Sequence, residues 1–311
     1  MIADAFAPIA VTERSGVVES IHHGAVVALG PDGAVAWSVG DPDVVMYPRS
    51  ALKPLQAAAM VAAGLQLEDR LLALVCASHD GRPEHLAGVE AILAGVGLSP
   101  DDLENTATLP LDPDAHADAV RAGVGPASLL QNCSGKHAGM LATAVINGWP
   151  TSGYTAVDHP VQRTIVDHLR TAAGPVDHVG VDGCGAPAPT VSLIALACAV
   201  RALAVGGHPV HRAMSSFPEM VGGPTRDVTR LMRLVPGLLA KDGAEGVQVV
   251  ALPDGRAVAL KVADGGGRAR TPVTVAALRS LDVAVASDAL TEPILDHGRV
   301  VGCVRSLVGA P

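Results

Sequence analysis

β-rich apolar runs lie near both ends of the chain. Residues 25–37 contain two such runs joined by a Pro-Asp-Gly turn, and residues 247–262 repeat the same design. Because Pro, Asp and Gly in succession favour a tight turn, each segment predicts a β-hairpin. A helical segment around 273–281 and a last strand near 298–304 follow the second hairpin. Strands are therefore expected at both ends of the chain.

Ala- and Leu-rich segments of helical length fill the middle of the chain, separated by loops rich in Gly and Pro. These predicted helices cover residues 51–63, 86–94, 139–147, 161–172, 191–205 and 228–234. The pattern indicates an α+β fold, with one antiparallel sheet completed by both chain ends and flanked by helices. We expect a single domain with a sheet lobe at about 1–50 and 240–311, a helical lobe at about 51–239, and an active site between them.

Composition narrows the class of protein. The chain has 311 residues, of which 49% are apolar but only 2% aromatic, so its core must consist of small side chains. A formal charge of −9, with no basic run, argues against nucleic acid as a partner. The longest apolar run, residues 193–200, falls short of the ~20 residues that cross a bilayer. We therefore expect a cytoplasmic protein that does not bind membranes.

Cysteine usage gives a further indication. The five cysteines are an odd number, widely scattered, in a chain without a recognisable export signal. This pattern disfavours a disulfide framework and leaves free thiols or metal ligands. Cys76 and Cys198 have apolar neighbours, typical of small buried side chains, whereas Cys133 and Cys184 lie in loops rich in reactive groups.

The segment from Arg49 to Pro54 carries the first candidate for catalysis. Proline is tolerated only in the first turn of a helix, so Pro54 predicts a helix that starts at about Ser50. Lys53 would then lie one turn from Ser50, on the same face. A serine becomes a good nucleophile when a nearby base removes its proton, and a buried lysine can be that base. A capping serine and an exposed lysine remain the simpler interpretation of this motif alone.

Three further loops combine reactive side chains with glycine. The loop at 76–85 contains Ser78, the loop at 131–140 combines a thiol, amides, an amine and an imidazole, and the loop at 181–187 adds a second thiol beside an acid. Glycine at this density lets the backbone approach a ligand closely. Each loop alone could be an ordinary turn, but together the loops favour an active site.

Taken together, these segments resemble the asparaginase II family, the thermolabile or rhizobial type of L-asparaginase, over nearly the whole chain. The resemblance is carried by Arg49-Ser-Ala-Leu-Lys-Pro54, Ser78-His-Asp-Gly81, Asn132-Cys-Ser-Gly-Lys-His137 and Asp182-Gly-Cys-Gly-Ala-Pro187. It implies a fold like that of serine β-lactamases and glutaminases, and members of the family are expected to be homodimers.

Two Ser–Lys pairs follow from the resemblance, Ser50 with Lys53 and Ser78 with Lys261. Lys261 also fits by its position, because it lies on the inner strand of the second predicted hairpin, just before a glycine-rich turn. Serine β-lactamases likewise place a lysine on a strand that faces the nucleophile. Without this context, a strand lysine would be interpreted as a surface residue.

The resemblance also implies a zinc ion bound by Cys133, Lys136 and Cys184, with water completing the shell. Zinc normally takes thiolate, imidazole or carboxylate ligands, so the spacing of these residues alone does not predict it. Such an ion would hold both thiols as thiolates, let the Lys136 amine coordinate, and could orient the substrate.

The resulting hypothesis is a serine-lysine amidohydrolase that converts asparagine to aspartate and ammonia by acyl transfer through Ser50. Arg49, His137 and Asp182 are candidates for binding the substrate's carboxylate and ammonium groups. Three alternatives stay open: a zinc-dependent amidase or glutaminase, a β-lactamase-like hydrolase, and a non-catalytic protein that binds amino acids or metal. Asparagine and glutamine differ by one methylene, so both stay candidate substrates.

Overall fold

The structure is a computed structural model that describes residues 2–286 and 290–309. The strands it describes are β1 (Ala7–Arg14), β2 (Val17–Leu29), β3 (Val35–Val39), β4 (Val45–Met46), β5 (Val179–Val181), β6 (Pro187–Pro189), β7 (Val191–Ser192), β8 (Leu239–Gly243), β9 (Val247–Ala251), β10 (Ala257–Val262), β11 (Glu292–Asp296) and β12 (Arg299–Ser306). The helices are α1 (Lys53–Ala62), α2 (Asp69–Val75), α3 (Pro83–Ala94), α4 (Pro113–Arg121), α5 (Ser134–Ile146), α6 (Pro160–Ala173), α7 (Leu193–Val205), α8 (Pro209–Ser216), α9 (Pro218–Val221), α10 (Asp227–Leu234) and α11 (Arg270–Ser280).

An eight-stranded antiparallel sheet is formed by the two ends of the chain, as expected. Its strand order is β11-β12-β1-β2-β10-β9-β8, with β3 paired to β2. Both predicted hairpins form, and each Pro-Asp-Gly turn places its glycine at positive φ, +84° at Gly33 and +96° at Gly255. Glycine adopts this backbone conformation without steric cost, so each turn can reverse the chain tightly. The predicted α+β class is confirmed.

The chain divides into two compact units. The sheet unit comprises residues 1–51, 191–207 and 230–311, and the helical unit comprises residues 52–190 and 208–229. The expected sheet lobe therefore falls within the first unit, but α7, which was assigned to the helical lobe, belongs to the sheet unit. The reason is that α7 packs on β2, β9 and β10 through its Ala- and Leu-rich surface.

The core of the sheet unit lies around its central strands. Residues 25–29 of β2 and nearly all of β9 and β10 are buried. Because successive side chains of a strand point to opposite faces, continuous burial means that both faces of the sheet are covered. Helices α7 and α11 both contact β9 and β10 and provide this cover. Among the described residues, no single helix is long and apolar enough to cross a membrane.

Small residues hold the helical unit together. A Cβ added to Gly135 of α5 would lie 2.4 Å from the carbonyl oxygen of Leu74, and one on Gly139 would lie 2.8 Å from Val75. Only glycine permits so close an approach of α5 to α2. Helix α3 also packs on α5, and its Gly88 faces Leu74. The scarcity of aromatic residues in the sequence is thus matched by short distances between helices.

Candidate active site

A buried lysine and a buried serine meet in the helical unit. Helix α1 begins at Lys53, and Pro54 occupies its second position, where a missing N–H leaves no hydrogen bond unmade. The Lys53 side chain is 3% exposed, and its Nζ donates to the carbonyl oxygen of Ala77 and lies 3.1 Å from Oγ of Ser78. An amine at this distance from a hydroxyl can accept and return its proton.

Ser50 lies in a 3-10 turn, Arg49–Leu52, in front of α1, so the α-helix begins three residues later than expected. The preceding Arg49 has a φ of +53°, a conformation that side-chain-bearing residues rarely adopt and that the surrounding structure must enforce. The turn packs directly on β8, because a Cβ on Gly243 would lie 2.2 Å from the carbonyl oxygen of Pro48. Ser50 is half-buried within this turn, and its pairing with Lys53 stays a prediction.

Lys261 lies on β10 in the sheet unit. Its Nζ donates to the carbonyl oxygens of Glu245 and Val262, each at 2.6 Å. Burial lowers the pKa of Lys261, and the opposing charges of Glu245 and Asp264 are not enough to cancel this effect. The neutral amine is therefore easier to form here than at an exposed lysine. The expected pairing of Lys261 with Ser78 stays a prediction.

A cluster of two thiols and an imidazole also lies in the helical unit, close enough to Lys53 for the charge of Lys53 to act on Cys133 and His137. Cys133 precedes α5, His137 follows one helical turn later, and Cys184 lies in the turn that joins β5 to β6. The two sulfur atoms and a ring nitrogen of His137 lie within 4.8 Å of one another, and all three residues are buried. Thiolate and imidazole are the ligands that zinc prefers, so these groups could hold such an ion.

Lys136 adds a cation to this cluster, with its Nζ 3.3 Å from Sγ of Cys184. A hydrogen bond from Cys133 and the charge of Lys136 hold the pKa of Cys184 far below its usual range. The same hydrogen bond, together with burial, raises the pKa of the Cys133 thiol. Burial acts to lower the pKa of Lys136, but the charges of Cys184, Cys133 and Asp182 together raise it. The cluster therefore contains a thiolate–ammonium pair beside a thiol.

The surroundings of His137 test whether the cluster suits a metal. Its Nε2 is buried and has no hydrogen-bond partner within residues 2–286 and 290–309. Its Nδ1 lies 2.9 Å from the hydroxyl of Tyr154, whose oxygen accepts a hydrogen bond from the Glu104 N–H. Burial lowers the pKa of His137 to about 4, so the ring is neutral near pH 7. A neutral imidazole with an uncommitted nitrogen beside two sulfurs fits zinc.

The position of His137 gives this residue a different candidate role from the one expected from the sequence. His137 was expected to bind substrate, whereas its position beside Cys133 and Cys184 makes it a candidate ligand. The signal was present in the sequence, because residues at positions i and i+4 of a helix share one face, as Cys133 and His137 do. The expected substrate-binding roles of Arg49 and Asp182 stay predictions. Asp182 is half-buried near Lys136, and Arg49 belongs to the sheet unit.

Two polar groups that sequence reasoning missed support the site loops. The Gly81 N–H donates to Nδ1 of His79, so Nε2 carries the proton and donates to the hydroxyl of Ser134 at 2.9 Å. This bond ties the loop of Ser78 to the first turn of α5. Similarly, Oε1 of Gln131 lies 2.8 Å from Sγ of Cys133. These contacts link residues far apart in sequence and could not be read from spacing.

The L-asparaginase II family matches this chain over residues 10–306. The chain therefore belongs to this family, and an amidohydrolase that acts on a small-molecule substrate is the class that the membership supports. No curated protein sequence matches the chain significantly.

Solved structures similar to this chain include the native form of a protein named Mglu, at 17% identity with a TM-score of 0.36, covering 83% of this chain and 64% of that one. A β-lactamase from Mycobacterium bovis shares 15% identity with a TM-score of 0.38, covering 83% of this chain and 94% of that one. A candidate β-lactamase from Bacteroides dorei shares 14% identity with a TM-score of 0.41, covering 82% and 93%. At these scores the likeness is distant and supports no argument about chemistry. The chain spans less than two thirds of the length of Mglu.

Proposed function

We propose that the protein is an L-asparaginase that hydrolyses the side-chain amide of L-asparagine to L-aspartate and ammonia through a serine activated by lysine. Family membership supports the reaction class. The observation that carries the mechanism is the buried amine of Lys53, 3.1 Å from the hydroxyl of Ser78. Because both side chains are shielded from solvent, the lysine and the serine can exchange a proton without competition from water.

Ser50 is the proposed nucleophile. Its oxygen attacks the amide carbon while its proton passes to Lys53, three residues along the chain. The proton then passes from Lys53 through the Ser78 hydroxyl to the leaving nitrogen, so that ammonia departs and an ester of Ser50 remains. Water attacks this ester, and the reverse proton transfers release aspartate. The backbone N–H groups around the turn of Ser50 would hold the oxyanion.

Ser78 is a second candidate for the nucleophile, favoured by its direct contact with Lys53. In that case Lys53 takes the Ser78 proton in a single step, and Ser50 hydrogen-bonds the substrate. Lys261, whose pKa is lowered by burial, is the proposed second base and serves whichever serine does not form the ester. Arg49 and Asp182 are the proposed partners of the substrate's charged groups, and His137 joins them only in a scheme without zinc.

Zinc is proposed as a cofactor, held by Cys133, Cys184 and His137, with Lys136 as the fourth candidate ligand. A bound zinc ion would polarise an oxygen of the substrate and fix its orientation. The residues of the cluster themselves keep a neutral imidazole and a thiolate in a site that excludes solvent.

Identification of the acylated serine tests the mechanism. A diazoketone analogue of asparagine alkylates the nucleophile, and peptide mass mapping shows which serine carries the adduct. An adduct on Ser50 that is lost in Ser50→Ala and kept in Ser78→Ala supports the first scheme, and the reverse pattern supports the second. Ammonia release from asparagine and glutamine, measured side by side, tests the substrate. If chelation abolishes turnover while both serine variants stay active, a zinc-dependent amidase is correct instead.

The proposal includes a cytoplasmic homodimer. None of the five cysteines forms a disulfide in the structure, which fits a reducing compartment. Dimerisation rests on the family resemblance. Light scattering of the purified protein at several concentrations gives its mass directly, and a monomer at all concentrations would contradict this part of the proposal.

A further inference from the structure

The turn that carries Ser78 is held by a hydrogen bond and an ion pair against a second segment of the helical unit, residues 221–226. The Ser78 N–H donates to the carbonyl oxygen of Val221 at 2.9 Å, and two residues later Asp80 reaches the same segment with its side chain. The carbonyl oxygen of Asp80 accepts from the N–H of Asp112 at 3.2 Å. The position of the Ser78 hydroxyl therefore depends on what holds this turn in place.

Asp80 is an unusual residue at such a place. Its side chain is only 1% exposed, yet it is acidic. Oδ1 lies 3.7 Å from Nη1 of Arg226, whereas Oδ2 is buried and has no hydrogen-bond partner in the part of the chain that the structure describes. A buried carboxylate with one unused oxygen costs free energy, so it is not explained by folding alone.

Gly223 leaves room for this carboxylate. Its φ is +127°, and a Cβ at this position would lie 1.8 Å from Oδ2 of Asp80. Any other residue would collide with the carboxylate and would also be strained. The backbone of residues 221–226 is thus shaped around the Asp80 side chain on one side and is bound by the Ser78 N–H on the other.

We propose that Asp80 is a positioning residue, which through Arg226 and the close packing of Gly223 holds the turn of Ser78 against residues 221–226 and so keeps the Ser78 hydroxyl at Lys53. The effect on turnover rests on the proposed function, but the coupling of the two segments does not. Asp80 itself does not touch the substrate in this scheme.

The protonation of Asp80 gives this coupling a pH dependence. Burial raises the pKa of Asp80 to about 6, with a further rise from Asp112, while Arg226 and Arg82 act to lower it. Since the folded pKa exceeds the ordinary value of 3.8, protonation stabilises the fold as the pH falls from above 6 towards 4. Protonation also removes the charge that attracts Arg226. Overall stability and the hold on Ser78 therefore change in opposite directions, which a purely structural role would not produce.

Hydrogen exchange at the Ser78 amide tests the coupling. In the wild-type protein, the protection factor of this amide should fall about 10-fold between pH 7.5 and pH 5, because Asp80 becomes protonated. In Asp80→Asn it should already be low at pH 7.5 and should not change with pH, while the melting temperature is not lower than that of the wild type. Asp69→Asn is the matched control, because Asp69 pairs with Arg212 at the surface of the same unit, and it should leave the Ser78 amide unchanged.

Arg226→Gln provides a second variant, with Arg212→Gln as its control. It removes the ion-pair partner of the buried Asp80 carboxylate, so the melting temperature should be lower at pH 7.5 and should recover at pH 5, where Asp80 is protonated.

Turnover provides a further readout. In Asp80→Asn, kcat should fall about 10-fold while KM stays within about 2-fold of the wild-type value. Asp80→Glu should also have a low kcat, because its longer side chain collides with Gly223.

Wild-type protection at Ser78 that is unchanged between pH 7.5 and pH 5, or Asp80→Asn protein with wild-type protection, would overturn the proposal. So would an Asp80→Asn variant that loses stability uniformly over all its amides or does not fold. Exchange requires no substrate, so a wild-type protein without asparaginase activity would refute the proposed function and leave this test intact.

Discussion

Two lysines of the helical unit are equally buried and differ in their neighbours. Lys53, 3% exposed, meets the hydroxyl of Ser78 and a carbonyl oxygen. Lys136, 2% exposed, meets the sulfur of Cys184. The charges of Cys184, Cys133 and Asp182 together raise the pKa of Lys136 in spite of burial. The Ser78 hydroxyl beside Lys53, in contrast, is uncharged. Burial alone therefore does not make a lysine a base, and the neighbouring group decides what the amine can do.

Removing the amines of Lys53 and Lys136, one at a time, tests this comparison most directly. Lys53→Met should lower kcat for asparagine by about 10³-fold, because it removes the proposed base while an unbranched apolar chain keeps the space filled. Lys136→Met, the matched control, should have a smaller effect on kcat and a larger effect on metal content. Ammonia release and circular dichroism of both variants provide the measurement. Near-normal turnover in Lys53→Met would refute the proposed role of Lys53.

Removal of the Cys184 thiolate sharpens the comparison from the other side. Cys184→Ser replaces the main anion beside Lys136 with a neutral hydroxyl, so the pKa of Lys136 should fall and zinc affinity should drop about 100-fold. Competition with a chromogenic chelator measures this affinity. Cys198→Ser is the control, since that thiol lies outside the cluster and is exposed, contrary to the burial expected from its apolar neighbours. Equal zinc affinity in both variants would contradict the proposed metal site.

A smaller effect is expected at Tyr154, the group that orients His137. Tyr154→Phe deletes the hydroxyl that links the Glu104 N–H to His137 and preserves the ring. We expect a loss of about 1–2 kcal/mol in the free energy of unfolding and about 10-fold in zinc affinity, since outer-shell hydrogen bonds orient metal ligands. Urea denaturation and chelator competition measure the two quantities. Unchanged zinc affinity would show that the hydroxyl does not orient His137 for binding.

The smallest change is expected for the stability of Ser78→Ala. Lys53 keeps its hydrogen bond to the Ala77 carbonyl oxygen in this variant, so the free energy of unfolding should fall by only about 1 kcal/mol. Urea denaturation measures it. A loss of several kcal/mol would show that the Ser78 hydroxyl mainly stabilises the fold, which would contradict the contrast drawn between Lys53 and Lys136.

Much of the fold was readable from the sequence because its signals are local. The Pro-Asp-Gly turns lie within each hairpin, and the Ala- and Leu-rich periods predicted α1, α3, α5, α6, α7 and α10. The assignment of α7 to the sheet unit was not readable, because its apolar surface fits a sheet as well as another helix. The position of Ser50 in a 3-10 turn was missed because Pro54 limits where a helix can begin without fixing its first residue.

The sequence proposed candidate site residues, whereas the contacts among them depend on the tertiary structure. The sequence itself singled out Lys53 and Ser78, yet their contact joins residues 25 positions apart in the chain. The proposed roles of Asp80, Gly223 and Tyr154 likewise depend on tertiary contacts, which a pattern of residue types does not reveal. His137 was the exception, since its helical spacing from Cys133 could have indicated a shared site.

The pairing of β2 with β10 and of β1 with β12 has a consequence for synthesis on the ribosome. Leu29 is paired with Ala257, and Ala10 with Ser306, so the first strands emerge long before their partners exist. Residues 52–190 of the helical unit are translated in between and can begin to pack first, since their contacts are closer in sequence. Until β10 and β12 are translated, the nascent β1–β2 hairpin has an unpaired edge on each side. Chaperones would therefore protect the chain most during this interval.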